Sequence, residues 1–282
     1  MLRLIKNDLR YHTFNKFFFI AAALLLYHSM WYAVQGGVVY ELTFGIPIVC
    51  ITVLLKSDKE KRSGAYRNKL TAGYTKRQVF FSYIISSAIY GAILCAIITV
   101  PMFLALQTEM TIVIYFTVFM FTAAAVQCIS LLLDNILCVI LAILALAAFF
   151  IGLHYLTYEP LSELRYNDVY IDSYGHDPQQ NDTYIRTDNP LYVGGIPRVL
   201  LKTVCYVNPY SQIKFAQSQV RWYKFCEDFE ELSFDTFWTK DEYDDIDYDI
   251  SREYHFFPFI TLGFTAAVSA AGYIVWRRKD LT

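Results

Sequence analysis

Charged side chains crowd into one stretch of this sequence, Lys56 to Gln78, and their spacing there is ordered. It holds eight Lys/Arg (Lys56, Lys59, Lys61, Arg62, Arg67, Lys69, Lys76 and Arg77) together with Asp58 and Glu60. The chemistry such a charged, ordered stretch suits is recognition. Charged side chains on a short helix fit a protein interface better than lipid. Ser57 with Glu60 three residues on has capping-box spacing and predicts a helix start. Gly73 suits the left-handed residue that ends such a helix, and Thr75 suits the cap of the next one. The pattern predicts a short helix held between two long apolar segments.

Motifs for covalent chemistry and for nucleotide binding are missing. None of the twelve Gly residues is followed by Lys, so the phosphate-binding P-loop with its Gly-Lys step cannot form. There is no H-E-x-x-H and no G-x-S-x-G, and no Cys-x-x-Cys pair for zinc or redox work. Asp245, Asp247 and Asp249 begin like a calcium loop, but Ile250 stands where Gly is needed and Phe256 where the closing Glu belongs. The acidic run from Asp241 to Asp249 is therefore read as a solvated face. No metal site, no cofactor on this chain and no nucleic-acid partner are expected.

The elements that must carry the charged stretch are apolar. Of 282 residues, 56% are hydrophobic and 18% charged, against a usual ~25% charged. The apolar residues cluster into runs long enough to cross a bilayer, which takes roughly 20 residues. Six such runs are predicted spans: Phe17–Val34, Val38–Leu55, Val79–Leu106, Met110–Leu133, Ile136–Tyr155 and Phe256–Trp276. The first is too long for a signal-peptide core and is read as a retained helix. Ahead of it, residues 1–16 alternate apolar Leu2, Leu4, Ile5 and Leu9 with Arg3, Lys6, Asp8 and Arg10, a pattern for an amphipathic helix on the inner membrane surface.

Fifteen Lys/Arg fall in segment 1–16, the stretch 56–78 and the tail at 277–279, and none in the short connections on the other side. The positive-inside rule then places both termini and the basic stretch in the cytoplasm. Residues 158–255 fall outside, with nine Lys/Arg against nineteen Asp/Glu, a net of −10. They read as a small mixed α/β extracytoplasmic domain. Strands are expected around Asp168–Asp172, Thr183–Arg186 and Leu191–Val193, a turn at Gly194–Gly195 and a helix over Ser211–Leu232. The domain plan is 1–16 amphipathic helix, 17–157 the first five spans with the short helix in 57–78, 158–255 the outer domain, and 256–282 the last span and tail. Cys205 and Cys226 lie in that domain and are the candidate pair for a disulfide.

The order Glu60, Gly64, Arg67, Asn68, Lys69, Leu70, Gly73, Thr75, Lys76 resembles the second-to-third-span loop of the ABC-2 type permeases, the membrane subunits of one class of ATP-binding-cassette exporters. The chain is similar to that family in topology along its whole length, and Asn208-Pro209 also looks like a family feature. Its outer segment is longer than the family's. The resemblance implies that these nine residues form a coupling helix docked on an ATPase subunit. It implies two ATPase copies that hold ATP and Mg, a second permease subunit (a homodimer partner or a paralogue), and a bacterial plasma membrane. The substrate expected is hydrophobic or amphiphilic, a peptide by preference, because the spans hold no fixed charge except Glu41 at one edge and the outer field is acidic.

His28 and His154 read first as packed structural histidines, and Tyr27, Trp31, Tyr32, Phe44 and Phe149 as packing or an interfacial belt. His28, Phe44 and Phe149 are the candidates for a substrate path. Small residues recur in the third span at Ser82 and Ser86 and at Ser87, Gly91 and Cys95, which lets helices approach closely. A different class of function is a membrane sensor or immunity protein that binds a ligand through its outer domain. An ion-coupled carrier is disfavoured by the spans' lack of ionisable residues.

Overall fold

The computed structural model describes residues 1–13, 16–34, 42–106, 109–163, 165–171, 183–217 and 254–278. The first part of the chain is helical: α1 (Leu2–Thr13), α2 (Lys16–Val34), α3 (Leu42–Arg62), α4 (Ala65–Thr71), α5 (Lys76–Leu106), α6 (Glu109–Leu132) and α7 (Ile136–Ser162). An antiparallel hairpin follows, β1 (Tyr166–Ile171) and β2 (Thr183–Asp188), with Tyr166 opposite Asp188 and Ile171 opposite Thr183. Then come α8 (Gly195–Val207) and α9 (residues 209–217), a 3₁₀ turn (Tyr254–Phe256) and α10 (Phe257–Trp276).

Among the described residues, four helices have the length and apolarity to cross a membrane. They are Lys76–Thr99, Thr111–Leu132, Ile136–Ser162 and Phe257–Trp276. The protein is therefore an α-helical, membrane-embedded molecule. The described apolar part of α2 is shorter, Lys16–Met30, and α3 turns from apolar to charged at Lys56. Residues 38–41, where the second expected span begins, lie outside the described residues.

Helices α5 and α6 form the centre. Helix α6 packs on α3, α5, α7 and α10, while α5 receives α1, α2 and α4. Small residues allow this closeness, as the Ser87/Gly91/Cys95 spacing predicts. A Cβ added at Gly91 would stand 2.6 Å from the Phe119 carbonyl oxygen and 2.9 Å from Ala123 Cβ. One added at Gly272 would stand 2.1 Å from Cys128 Sγ, so α10 also rests directly on α6. One core fills the space among α2, α3, α5 and α6 with Leu25, Val49, Leu94 and Phe119. A second, with Val79, Phe80, Tyr83 and Trp276, joins α5, α6 and α10 near α4.

Three local expectations change. Ser57 starts no helix, because α3 runs through it to Arg62 and its hydroxyl is used inside the core. Helix α7 continues past Tyr155 to Ser162. Leu191–Val193 is not a strand: Asn189 Oδ1 accepts from Leu191 N at 2.9 Å and Asn189 O from Tyr192 N at 3.1 Å. Asn-Pro turn chemistry thus overrides the apolar alternation. Of the expected helix Ser211–Leu232, residues up to 217 are helical and the rest lie outside the described residues.

Candidate functional site

Helix α4 is framed by two glycines in the left-handed region, Gly64 at φ 67° and Gly73 at φ 91°. At its far end Tyr74 N donates to Lys69 O at 3.3 Å and Gly73 N to Leu70 O at 3.0 Å. That pair of bonds closes a Schellman motif, which needs a residue of positive φ at the position of Gly73. Thr75 then caps α5, as expected. Its Oγ1 accepts from Gln78 N at 3.2 Å, and Gln78 Oε1 accepts from Thr75 N at 3.0 Å. The capping box of this region is therefore Thr75/Gln78, and the orphan donors at the start of α5 are satisfied by it.

One side of α4 faces the bundle. Tyr66 lies edge-to-face on Tyr83 at 4.7 Å, and Leu70 packs on the same cluster. Lys69 also turns inward. Its ammonium lies 3.7 Å from the Tyr83 ring centroid and 2.5 Å from Asp8 Oδ1. Asp8 Oδ2 accepts from Ser82 Oγ at 3.1 Å. A single buried carboxylate on α1, 4% exposed, thus ties α1 to α4 and α5.

Beside this clasp a polar network threads the core. Lys56 and Glu60 pair at 3.6 Å, both buried. Ser57 Oγ accepts from Ser130 Oγ at 2.6 Å and from Gln127 Nε2 at 3.4 Å, and lies 3.2 Å from Tyr66 Oη. Ser87 Oγ donates to Gln127 Oε1 at 3.1 Å. Lys61 Nζ donates to Leu133 O just past the end of α6, where a cation complements the helix dipole. Burial pushes the Lys56 ammonium down to about 8, with the Glu60 carboxylate opposing the shift. Burial likewise pushes Glu60 upward, against the opposing pull of Lys56 and Lys69. Both groups are driven toward their neutral forms by desolvation.

The other side of α4 is open. Arg67, Asn68 and Thr71 are exposed, followed by Gly73 and Thr75. The nine residues singled out in the sequence therefore divide. Arg67 and Asn68 form a face, Gly64, Gly73 and Thr75 shape the helix, Leu70 and Lys69 anchor it, and Lys76 reaches Arg277 O at 3.5 Å. Glu60 does not share the exposed face, being inside with Lys56. Sequence reading missed Asp8, Tyr66, Tyr83 and Gln127. A signal for Asp8 existed: it stands four residues after Leu4, on the helical face that Leu4 buries.

A second feature lies farther along the bundle, an apolar cavity of about 220 Å³. Pro47 and Cys50 of α3, Phe121 and Val126 of α6, Phe150 of α7 and Tyr210 of α9 are among its walls. His28 and Phe149 do not line it, and Phe149 is exposed on α7. The side chain of Phe44 lies outside the described residues. His154 is structural: its Nδ1 lies 2.9 Å from Ser211 Oγ and its ring stacks on Tyr158 at 5.2 Å. Cys205 is buried on α8, and Cys226 lies outside the described residues. Among the described residues, no cluster of His, Cys, Asp or Glu could hold a metal ion. Compared with known proteins, the chain matches no protein-family model and no curated sequence.

Proposed function

We propose that this chain is the membrane-spanning permease subunit of an ATP-binding-cassette exporter of the ABC-2 type, in a bacterial plasma membrane, with six spans and both termini cytoplasmic. The observation that carries the reading is α4. It is a two-turn helix with a shaped start and stop, a half-buried anchor in Tyr66, Lys69 and Leu70, and an outward face made of Arg67 and Asn68. A helix that only connects two spans needs none of these devices. ATP and Mg belong to two partner ATPase subunits. Force applied to α4 reaches α1 through Asp8 and Lys69, α5 through Tyr66 and Tyr83, and α6 through Ser57 and Gln127. Glu60 acts from inside this network. A second permease copy or a paralogue completes the transport path.

The substrate class is an amphiphilic peptide, preferably cationic. The apolar cavity among α3, α6, α7 and α9 suits an apolar side chain, and the acidic 158–255 segment draws positive charge. Purification of the tagged chain from its native membrane in mild detergent tests the reading. A stoichiometric subunit with a Walker A motif is the expected companion. Purification with no ATPase under conditions that keep the bundle folded would refute it.

A further inference from the structure

The outward face of α1 carries charge of one sign. Arg3, Lys6 and Arg10 are exposed, and helical spacing puts all three within about 60° of one another around the axis. Leu4 and Asp8, each 4% exposed, lie on the opposite side, against the bundle. Asp8 is the one acidic residue of segment 1–16, and it is turned inward to Lys69 and Ser82. Among the described residues no carboxylate pairs with Arg3, Lys6 or Arg10. Leu2 flanks the row on one side and is 84% exposed. Tyr11 flanks it on the other, with the Lys59 ammonium 5.5 Å from its ring centroid. Such a row does not serve the helix itself. Like charges three and four residues apart repel, and Arg3 stands at the helix start, where the dipole disfavours a cation.

The row is held at the height of lipid headgroups. Two residues separate Thr13 from Lys16, where α2 begins, and three chain steps reach no more than about 11 Å. Helix α2 is apolar from Phe17 onward. Its Phe19 and Ile20 are 58% and 56% exposed, as side chains that face acyl chains are. The headgroup layer adds about 5–8 Å to each side of the hydrocarbon, so α1 is tethered within its reach. An acidic soluble partner would match the cations. It would not match Leu2 and Met1, which are exposed at the same end of the helix and suit the boundary between headgroups and acyl chains.

We infer that Arg3, Lys6 and Arg10 bind the phosphate groups of anionic phospholipid, and that lipid held there fixes α1 and, through Asp8, its clasp on α4 and α5. Basic side chains beside a span are drawn to an anionic leaflet, and each one adds to the attraction. A zwitterionic lipid offers the same phosphate with a cation attached, so a row of cations without a carboxylate selects headgroups of net negative charge. The clasp gives this binding a consequence. Headgroups that immobilise the outer side of α1 hold the Asp8 carboxylate on its inner side beside Lys69 and Ser82. The inference requires only that α1 lie at the membrane surface and does not depend on the chain being a permease.

Native mass spectrometry of the full chain, released from micelles holding equal amounts of phosphatidylglycerol and phosphatidylcholine, reads the preference directly. The natural chain is expected to retain phosphatidylglycerol over phosphatidylcholine. Arg3→Gln/Lys6→Gln/Arg10→Gln should weaken that preference by about tenfold. Lys6→Gln/Arg10→Gln takes its place if the triple variant does not fold. A control with the same change of charge, Arg77→Gln/Arg277→Gln/Arg278→Gln, should keep the preference. Phosphatidylglycerol should also raise the melting temperature of the natural chain by more than that of Asp8→Asn, in which the clasp is weakened. Equal preference in the natural and α1-variant chains would overturn the inference, as would an equal loss in the control. An equal rise in melting temperature with and without Asp8 would overturn the link to the clasp.

Discussion

Asp8 concentrates the consequences of this structure in one side chain. Its carboxylate is shared between Lys69 of α4 and Ser82 of α5, so its loss removes charge-assisted bonds worth about 1.5–3 kcal/mol. Asp8→Ala should lower the melting temperature of the solubilised protein, and Lys69→Met should do so to a similar degree. The double variant should cost less than the two singles together, because each single strands a buried partner. Strict additivity would contradict the clasp. Lys56 gives a pH signature. Its pKa is pushed from 10.5 to about 8 by burial, so between those values the unfolded chain holds a proton that the folded one lacks, and stability rises with pH. Glu60, pushed upward by burial, contributes stability that is fully present below 4.5 and lost as pH climbs through its raised value. Melting measured from pH 8 to 10 should climb in the natural protein relative to Lys56→Met. Parallel curves for the two would refute the assignment.

The elements show where sequence was readable. Gly64, Gly73 and Thr75 act through neighbours within a few residues, and their roles follow from local backbone chemistry. Four of the six expected spans were legible as helices of membrane length among the described residues, because apolar length is a local property. The clasp was not, since Asp8 and Lys69 are 61 residues apart and nothing in either neighbourhood names the other. Ser57 misled for a related reason. Its capping signal is local, but the serine sits inside a longer helix and serves Ser130, Gln127 and Tyr66 across the core. Close helix contact can be tested at α6 and α10. Gly272→Ala would bring its Cβ to 2.1 Å from Cys128 Sγ and should destabilise by about 1–3 kcal/mol. Adding Cys128→Ala should recover much of that loss, since position 128 would then offer only its Cβ, 3.9 Å away. Failure of the second change to help would show that the contact does not set the helix spacing.

For the whole molecule, the network around α4 gives the bundle a handle. Its basic end carries α1, α4 and the ends of α3, α5 and α6, joined by buried polar bonds, while the cavity lies farther along, walled by α3, α6, α7 and α9. Helices α3 and α6 belong to both regions, so a push on α4 has a physical route to the cavity. That route has a purpose only if something docks on α4. The decisive measurement is the amount of ATPase retained per chain after purification from native membrane, compared between the natural protein and Arg67→Glu. Arg67 is exposed and anchors nothing in the bundle, so the variant should melt at the same temperature. The account predicts one ATPase per natural chain and a loss of at least about tenfold in the variant, equivalent to 1.4 kcal/mol of docking energy. Equal retention by both, or no ATPase with the natural chain, would contradict it.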